Sequence, residues 1–167
     1  MNAEKYSIDN GSNSIKNAGE YLTFKLGNEG YGIEILKVQE IRGYDQVTQI
    51  ANTADYIKGV INLRGRIVPI VDLRIKFKLK NIEYDEFTVV IILNLSGREF
   101  GVVVDGVSDV ITLKAEQVRD VPSLVTSIDT KYIVGLATLV EQMIILVDIE
   151  KLMTSQDIEL IDTTSLS

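Results

Sequence analysis

Three sets of carboxylates have the residue types for acid–base work: Glu83-Asp85-Glu86, Asp105 with Asp109, and Asp72 with Asp148. Such a pair cleaves a bond only when its surroundings split the two pKa values, keeping one acid protonated and one ionised. The first set lies in a polar linker and is expected to be solvated. Asp72 and Asp148 each follow an apolar run at matching places of an internal repeat, which suits a turn or a cap. Other reagents are missing. The chain has no His and no Cys, and so lacks the commonest general base, the thiol nucleophile, the thiolate metal site and the disulfide. Gly27-Asn28-Glu29-Gly30 lacks the Gly-Lys-Ser/Thr of a phosphate loop, and no acidic loop has the spacing of a Ca²⁺ site. No catalytic residue, metal site or cofactor is expected. What remains is cationic: Leu63-Arg64-Gly65-Arg66, a bend between two apolar runs whose arginines suit a carboxylate partner.

Composition narrows the classes further. An apolar share of 46% with 25% charged residues over 167 positions describes a globular chain of one or two small domains. A net charge of −7 and a pI near 4.7 argue against nucleic acid and against an anionic membrane surface. The apolar runs are far shorter than the roughly 20 residues of a spanning helix, and no signal peptide is evident, so a cytoplasmic protein is expected.

The elements that must position these residues read as strands. Residues 1–19 show no sustained period and are expected to form a flexible tail. Tyr21 to Leu26 alternates, Gly27 to Gly30 turns, and Tyr31 to Ile35 returns. Leu36 to Ile41 fits a helical turn or a strand, the latter placing Val38, Glu40 and Arg42 on one side. A loop to Asp55 and a helical turn over Tyr56-Ile57-Lys58-Gly59 precede the cationic hairpin. Pro69 in its second arm predicts an edge strand or a bulge. Phe87–Leu95, Phe100–Val104 and Met143–Val147 read as buried strands. A short helix is expected between Ile149 and Ile161, with Thr154 capping its second part.

The chain repeats itself. A shift of 69 carries Leu22, Phe24 and Leu26 onto Ile91, Leu93 and Leu95, Tyr31-Gly32-Ile33 onto Phe100-Gly101-Val102, and Val38, Glu40 and Ile41 onto Val107, Asp109 and Val110. A shift of 76 carries Tyr56-Ile57 and Gly59 onto Tyr132-Ile133 and Gly135, and Val71-Asp72 onto Val147-Asp148. The difference is a seven-residue insertion within 111–131. The reading is all-β: two modules, about 20–80 and 85–150, each a five-stranded barrel, sharing an apolar seam with a groove between them. Arg64-Gly65-Arg66 becomes Val140-Glu141-Gln142 in the second copy, an asymmetry that favours a contact role for the tip. Val38, Glu40 and Ile41 are candidates to face the groove, as are Thr88 and Val89 at the module boundary.

Four stretches carry a resemblance to a known family: Tyr31-Gly-Ile-Glu-Ile-Leu-Lys-Val-Gln-Glu-Ile-Arg-Gly43, Ile57-Lys-Gly-Val-Ile-Asn-Leu-Arg-Gly65, Ile67-Val-Pro-Ile-Val-Asp-Leu73 and Val104-Asp-Gly-Val-Ser-Asp-Val110. Over about residues 20–153 the chain resembles the CheW family, the coupling proteins of bacterial chemotaxis. The resemblance implies two intertwined five-stranded SH3-like barrels and a scaffold without catalysis. It implies two partners: the cytoplasmic tip of methyl-accepting chemoreceptors and the regulatory domain of the histidine kinase CheA, in arrays at the membrane. By motif position it implicates Val38, Glu40, Ile41, Arg64, Thr88 and Val89 in receptor binding. Gly43, Tyr44, Asp45 and Gly59 would meet the kinase, and Arg119 a second, ring-closing kinase contact. Asp120 after Arg119, and Leu124 where an aromatic is common, depart from the family pattern in ways that bear on that second contact. The rivals are a small hydrolase using a carboxylate pair and the same double barrel serving as the kinase's own regulatory domain or fused to a receiver.

Overall fold

The computed structural model describes residues 18–45, 47–121 and 132–153. They form eleven strands in two sheets. In chain order these are β1 (Gly19–Leu26), β2 (Glu29–Glu34), β3 (Val38–Gly43), β4 (Ile57–Leu63), β5 (Arg66–Asp72), β6 (Val89–Leu95), β7 (Arg98–Val104), β8 (Gly106–Leu113), β9 (Val118–Arg119), β10 (Ile133–Leu139) and β11 (Gln142–Val147). Single helical turns follow β5 and β11: α1 (Leu73–Lys76) and α2 (Ile149–Leu152). One sheet runs β8-β1-β2-β11-β10-β9 and the other β3-β6-β7-β5-β4.

The repeat is present, but its halves do not make one sheet each. The shifts that align the sequence carry β3, β6, β7, β5 and β4 onto β8, β1, β2, β11 and β10, which is the order of the other sheet. Each sheet therefore takes the first hairpin of one copy and the later strands of the other. The joins are equivalent parallel pairs, β5 with β7 and β11 with β2. Modules at about 20–80 and 85–150 describe the repeat and not the sheets. Even the bulges recur, at Ile57/Gly59 and Ile133/Gly135. So does the bond from the Asp72 or Asp148 N–H to the carbonyl of Tyr56 or Tyr132 (2.7 and 2.9 Å).

Core residues separate by strand face, because successive side chains point to opposite sides of a sheet. Leu22, Phe24, Ile91, Leu93, Val102 and Ile145 join the large cluster that draws on both sheets. Val90, Ile92, Val103 and Val68 fill the interior of the five-stranded sheet, and Tyr21, Ala137, Ile144 and Leu146 that of the other. Stretches buried on both faces must be apolar throughout, as Val90–Leu93 of β6 and Phe100–Val104 of β7 are. At roughly 1.5–3 kcal/mol per large side chain, this burial is the main force holding the intertwined halves together.

Several expectations change. Leu36 to Ile41 divides between a 3₁₀ turn (Ile35–Lys37) and β3. In β3, Val38, Glu40 and Arg42 are less exposed than their neighbours but do not share one side, because a bulge between Val38 and Glu40 turns Val38 to the opposite face. Residues 57–59 are strand and not a helical turn. Gly59 sits at φ +139 in a bulge, pressed so close to the Thr48–Val60 bridge that a Cβ would lie 2.0 Å from the Thr48 carbonyl oxygen. Pro69 lies inside the sheet, with β4 on one side and β7 on the other. It is tolerated because its partner Val60 spends its own N–H and C=O on Thr48, marking a non-hydrogen-bonded pair, and the pairing with β7 begins only at Ile70. The C-terminal helix is a single turn ending at Leu152; Thr154 and the rest of that expected helix lie outside the described residues, as do Leu124 and most of the 1–19 segment.

Candidate functional site

β3 lies at one edge of the five-stranded sheet, and a bulge between Val38 and Glu40 sorts its side chains. Val38 and Ile41 stand opposite Leu93 and Ile91, on the side of the shared core, while Glu40 and Arg42 stand opposite Ile92 and Val90, on the interior side. Val89, which opens β6 opposite Gly43, also packs on the shared core, at the other end of the β3–β6 ladder from Val38. Ile41 remains 44% exposed. The edge strand thus offers an apolar face and a charged face.

The charged face is completed by the β4–β5 tip. Arg64 and Gly65 adopt φ 53 and 87, the two positive values of a type I′ turn, and Asn62 Oδ1 accepts the Gly65 N–H (2.8 Å). The turn projects Arg64 onto Glu40, where the two form an ion pair; Arg42 adds a second bond to Glu40 at 3.3 Å. Arg66 grips Glu99 side-on, with Nε and Nη2 at 2.6 and 2.9 Å from its two oxygens, and Gln39 bonds the same carboxylate. Arg64 foremost, then Arg42, holds the Glu40 carboxyl below the usual range; Arg66 and then Gln39 do so for Glu99. These pairs tie β3 to the far edge of its own sheet. Both arginines that are unique to the first copy therefore have partners within the chain, which the repeat asymmetry did not reveal.

Thr88 points inward. It is buried, and its hydroxyl accepts the Asp85 N–H (2.9 Å), so it shapes the turn that delivers Val89. Tyr44, just past β3, lies half-buried against Tyr84, ring centres 4.7 Å apart. Gly43 differs from Gly59: a Cβ there would meet nothing within 4 Å, so the fold itself does not require glycine. Gly43 and Asp45 border a cavity of about 130 Å³ that Thr48 also lines. Arg119 is remote from them in chain and sheet. Yet it bridges β10 at Leu136 just as Thr48 bridges β4 at Val60, and it borders a cavity of about 410 Å³ at that corner. The candidates thus divide into the β3 edge with the cationic tip, and two pseudo-equivalent sheet corners.

A buried ionic centre escaped the sequence reading. Arg74 in α1 is 1% exposed and makes bonds of 3.0 and 2.9 Å to the two Asp72 oxygens, 2.9 Å to Asp105 and 2.8 Å to the Glu83 carbonyl. Asp72 also caps α1 by accepting the Arg74 N–H, and receives the Tyr84 hydroxyl at 2.6 Å. Asp105 accepts the Gly27 N–H at 2.7 Å. Burial opposes the Arg74 charge, but Asp72 and Asp105 outweigh it and hold its pKa above the ordinary arginine value. The signal available in the sequence was a second asymmetry of the repeat, Arg74 against Glu150.

These bonds remove the carboxylate-pair hydrolase. Asp72 is committed to Arg74 and to a cap, Asp148 to capping α2, and Asp109 to its own Val110 N–H. Glu83, Asp85 and Glu86 are exposed. The carboxyl shifts at Glu40 and Glu99 are downward, the reverse of what a general acid needs. Among the described residues no group of three or more acids is placed to hold a metal ion, and no helix is long and apolar enough to cross a membrane.

Comparison with known proteins converges on one family. Residues 20–157 match the CheW-like domain. The chain is 61% identical to the chemotaxis protein CheW of Klebsiella aerogenes over 148 residues, 89% of each protein, and 33% identical to that of Treponema pallidum over 84% of this chain and 85% of the other. The crystal structure of the scaffolding protein TtCheW from Thermoanaerobacter tengcongensis is similar in fold, with a TM-score of 0.76 and 31% identity, covering 84% of this chain and 95% of the other. An intertwined pair of sheets, with the family match running over residues 20–157, places this chain in the CheW family of non-catalytic chemotaxis scaffolds.

Proposed function

We propose that this chemotaxis adaptor couples the cytoplasmic tip of methyl-accepting chemoreceptors to the regulatory domain of the histidine kinase CheA, and is thereby recruited to receptor arrays at the membrane. The observation that carries the reading is the two-faced edge strand β3, with exposed Ile41 on one side and the Glu40–Arg64 pair on the other. A helical receptor tip has the matching chemistry: an apolar stripe for Val38, Ile41 and Val89, and flanking charges for Arg64 and Glu40. The Arg64 side chain is 61% exposed even while paired, which leaves most of its donors to a partner. Thr88 contributes by fixing the turn before Val89.

The kinase is assigned to the sheet corners. Gly43, Tyr44, Asp45 and Gly59 cluster at one, and Arg119 marks the equivalent corner of the other sheet. Two equivalent corners on opposite sheets would let one adaptor meet two kinase domains, as a ring of alternating partners requires. The test is a pull-down of wild type and Arg64→Ala with receptor-tip fragments and with CheA. Arg64→Ala is expected to lose receptor binding and retain CheA. Equal retention of both removes Arg64 from the receptor site, and failure of the wild type to bind either partner overturns the function.

A further inference from the structure

The described residues between α1 and β6 pair with no strand, yet both proposed contact surfaces touch this segment. Its position is set largely by side chains. Arg74 donates to the Glu83 carbonyl, the Tyr84 hydroxyl donates to buried Asp72, and the Asp85 N–H donates to Thr88. The Tyr84 ring lies on the Arg74 guanidinium at 4.7 Å, with the Lys58 ammonium at 5.4 Å from its centre, and meets Tyr44 on another side. One aromatic ring thus stands between a buried cation, the turn that delivers Val89, and the tyrosine between Gly43 and Asp45.

Resting on the adaptor reading above, we infer that Tyr84, seated on Arg74, is a positioning residue that joins the receptor-contact face to the kinase-contact corner. Displacing Val89 on receptor binding moves the Asp85–Thr88 turn, the turn moves Tyr84, and Tyr84 moves Tyr44. A rival route exists, because Gly43 pairs directly with Val89 across the β3–β6 ladder. The two routes differ in whether they need the Tyr84 ring. The attraction of the Arg74 cation for the ring face, with the hydroxyl bond to Asp72, holds Tyr84 in this place.

The experiment is a binding cycle with a receptor-tip fragment and the CheA regulatory domain: each affinity is measured alone and with the other partner saturating. The coupling factor is taken from each variant's own affinities, so a loss of binary binding cancels from it. Wild type is expected to show a factor within the usual allosteric range, roughly 5–150. Tyr84→Leu, which keeps apolar bulk but removes the stack, is expected to bring the factor within about twofold of one by that same linkage. Tyr84→Phe, which keeps the ring and loses only the bond to Asp72, is expected to retain most of the coupling. Thermal melts of both variants confirm the fold. Coupling undiminished in Tyr84→Leu overturns the inference in favour of the ladder route, and a wild-type factor of one overturns it outright. Failure of the wild type to bind either partner alone is a different result, and overturns the adaptor reading itself.

Discussion

At the scale of single residues, Arg64 carries opposed demands. Its turn requires positive φ, which costs a non-glycine L-residue roughly 1–2 kcal/mol and which Asn tolerates better. The Glu40 pair it gains is exposed and worth only about 0–1 kcal/mol. Ser96 occupies the same place in the β6–β7 turn at φ 55, so nothing in the turn calls for arginine. Arg64→Asn is therefore expected to leave the melting temperature unchanged or slightly raised while weakening receptor binding, read by calorimetry and by titration with a receptor-tip fragment. The neighbouring carboxylates give a pH test. Glu40 and Glu99 are held below the ordinary glutamate range by Arg64 and Arg66, so they bind protons less readily folded than unfolded. Their stabilisation is complete above the unfolded value, roughly pH 4.3, and is lost as pH falls through the lower folded values. Carboxyl NMR titration should place both below free glutamate, and Arg66→Ala should return Glu99 toward it. The cationic tip was legible in the sequence as a run of types; its partners Glu40 and Glu99 were not, because they come from strands brought near only by the sheet.

At the scale of elements, two glycines separate folding from contact. Gly59→Ala would set a Cβ against the Thr48 carbonyl at a φ that side chains avoid, and is expected to cost at least about 3 kcal/mol in urea unfolding. Gly43→Ala meets open space and is expected to change stability by less than about 0.5 kcal/mol while weakening the CheA regulatory domain several-fold in a binding titration. Unchanged binding there would remove Gly43 from the kinase contact. Strands with continuous β-branched runs were legible because burial on both faces needs apolar residues at every position. Ile57–Gly59 was misread as a helical turn because the clue, close approach of Thr48, is a tertiary contact. The edge-strand reading of Pro69 fails for the same reason, since its missing N–H matters only where a neighbour would accept it. The bulge it also allowed lies one pair away, at Ile57/Gly59.

At the scale of the molecule, the exchange of hairpins between the repeats makes the halves interdependent. A fragment of residues 18–80 lacks β6 and β7, which lie between β3 and β5, and should be largely unfolded by circular dichroism. Mixed with residues 85–153 it should regain sheet signal. Independent folding of either fragment would contradict the intertwined topology. The buried centre around Arg74 is the second determinant at this scale. Asp72→Asn leaves a buried guanidinium short of a counter-charge and is expected to cost about 3–5 kcal/mol. Asp72→Asn with Arg74→Met should recover part of that loss, since removing both charges removes the uncompensated one. A hydrolase would instead lose turnover on Asp72→Asn with stability intact.

The sequence alone determined the all-β class, the two-fold repeat, the apolar seam and the absence of histidine and cysteine chemistry. Each is local or periodic, and so is written directly into residue types and spacing. Tertiary structure decided which copy's hairpin joins which sheet, that Thr88 faces inward, that Glu40 and Glu99 receive the unique arginines, and that Arg74 is buried between Asp72 and Asp105. These are pairings between residues from two to over a hundred positions apart in the chain. No local pattern favours one such pairing over another until burial removes water as the competing partner.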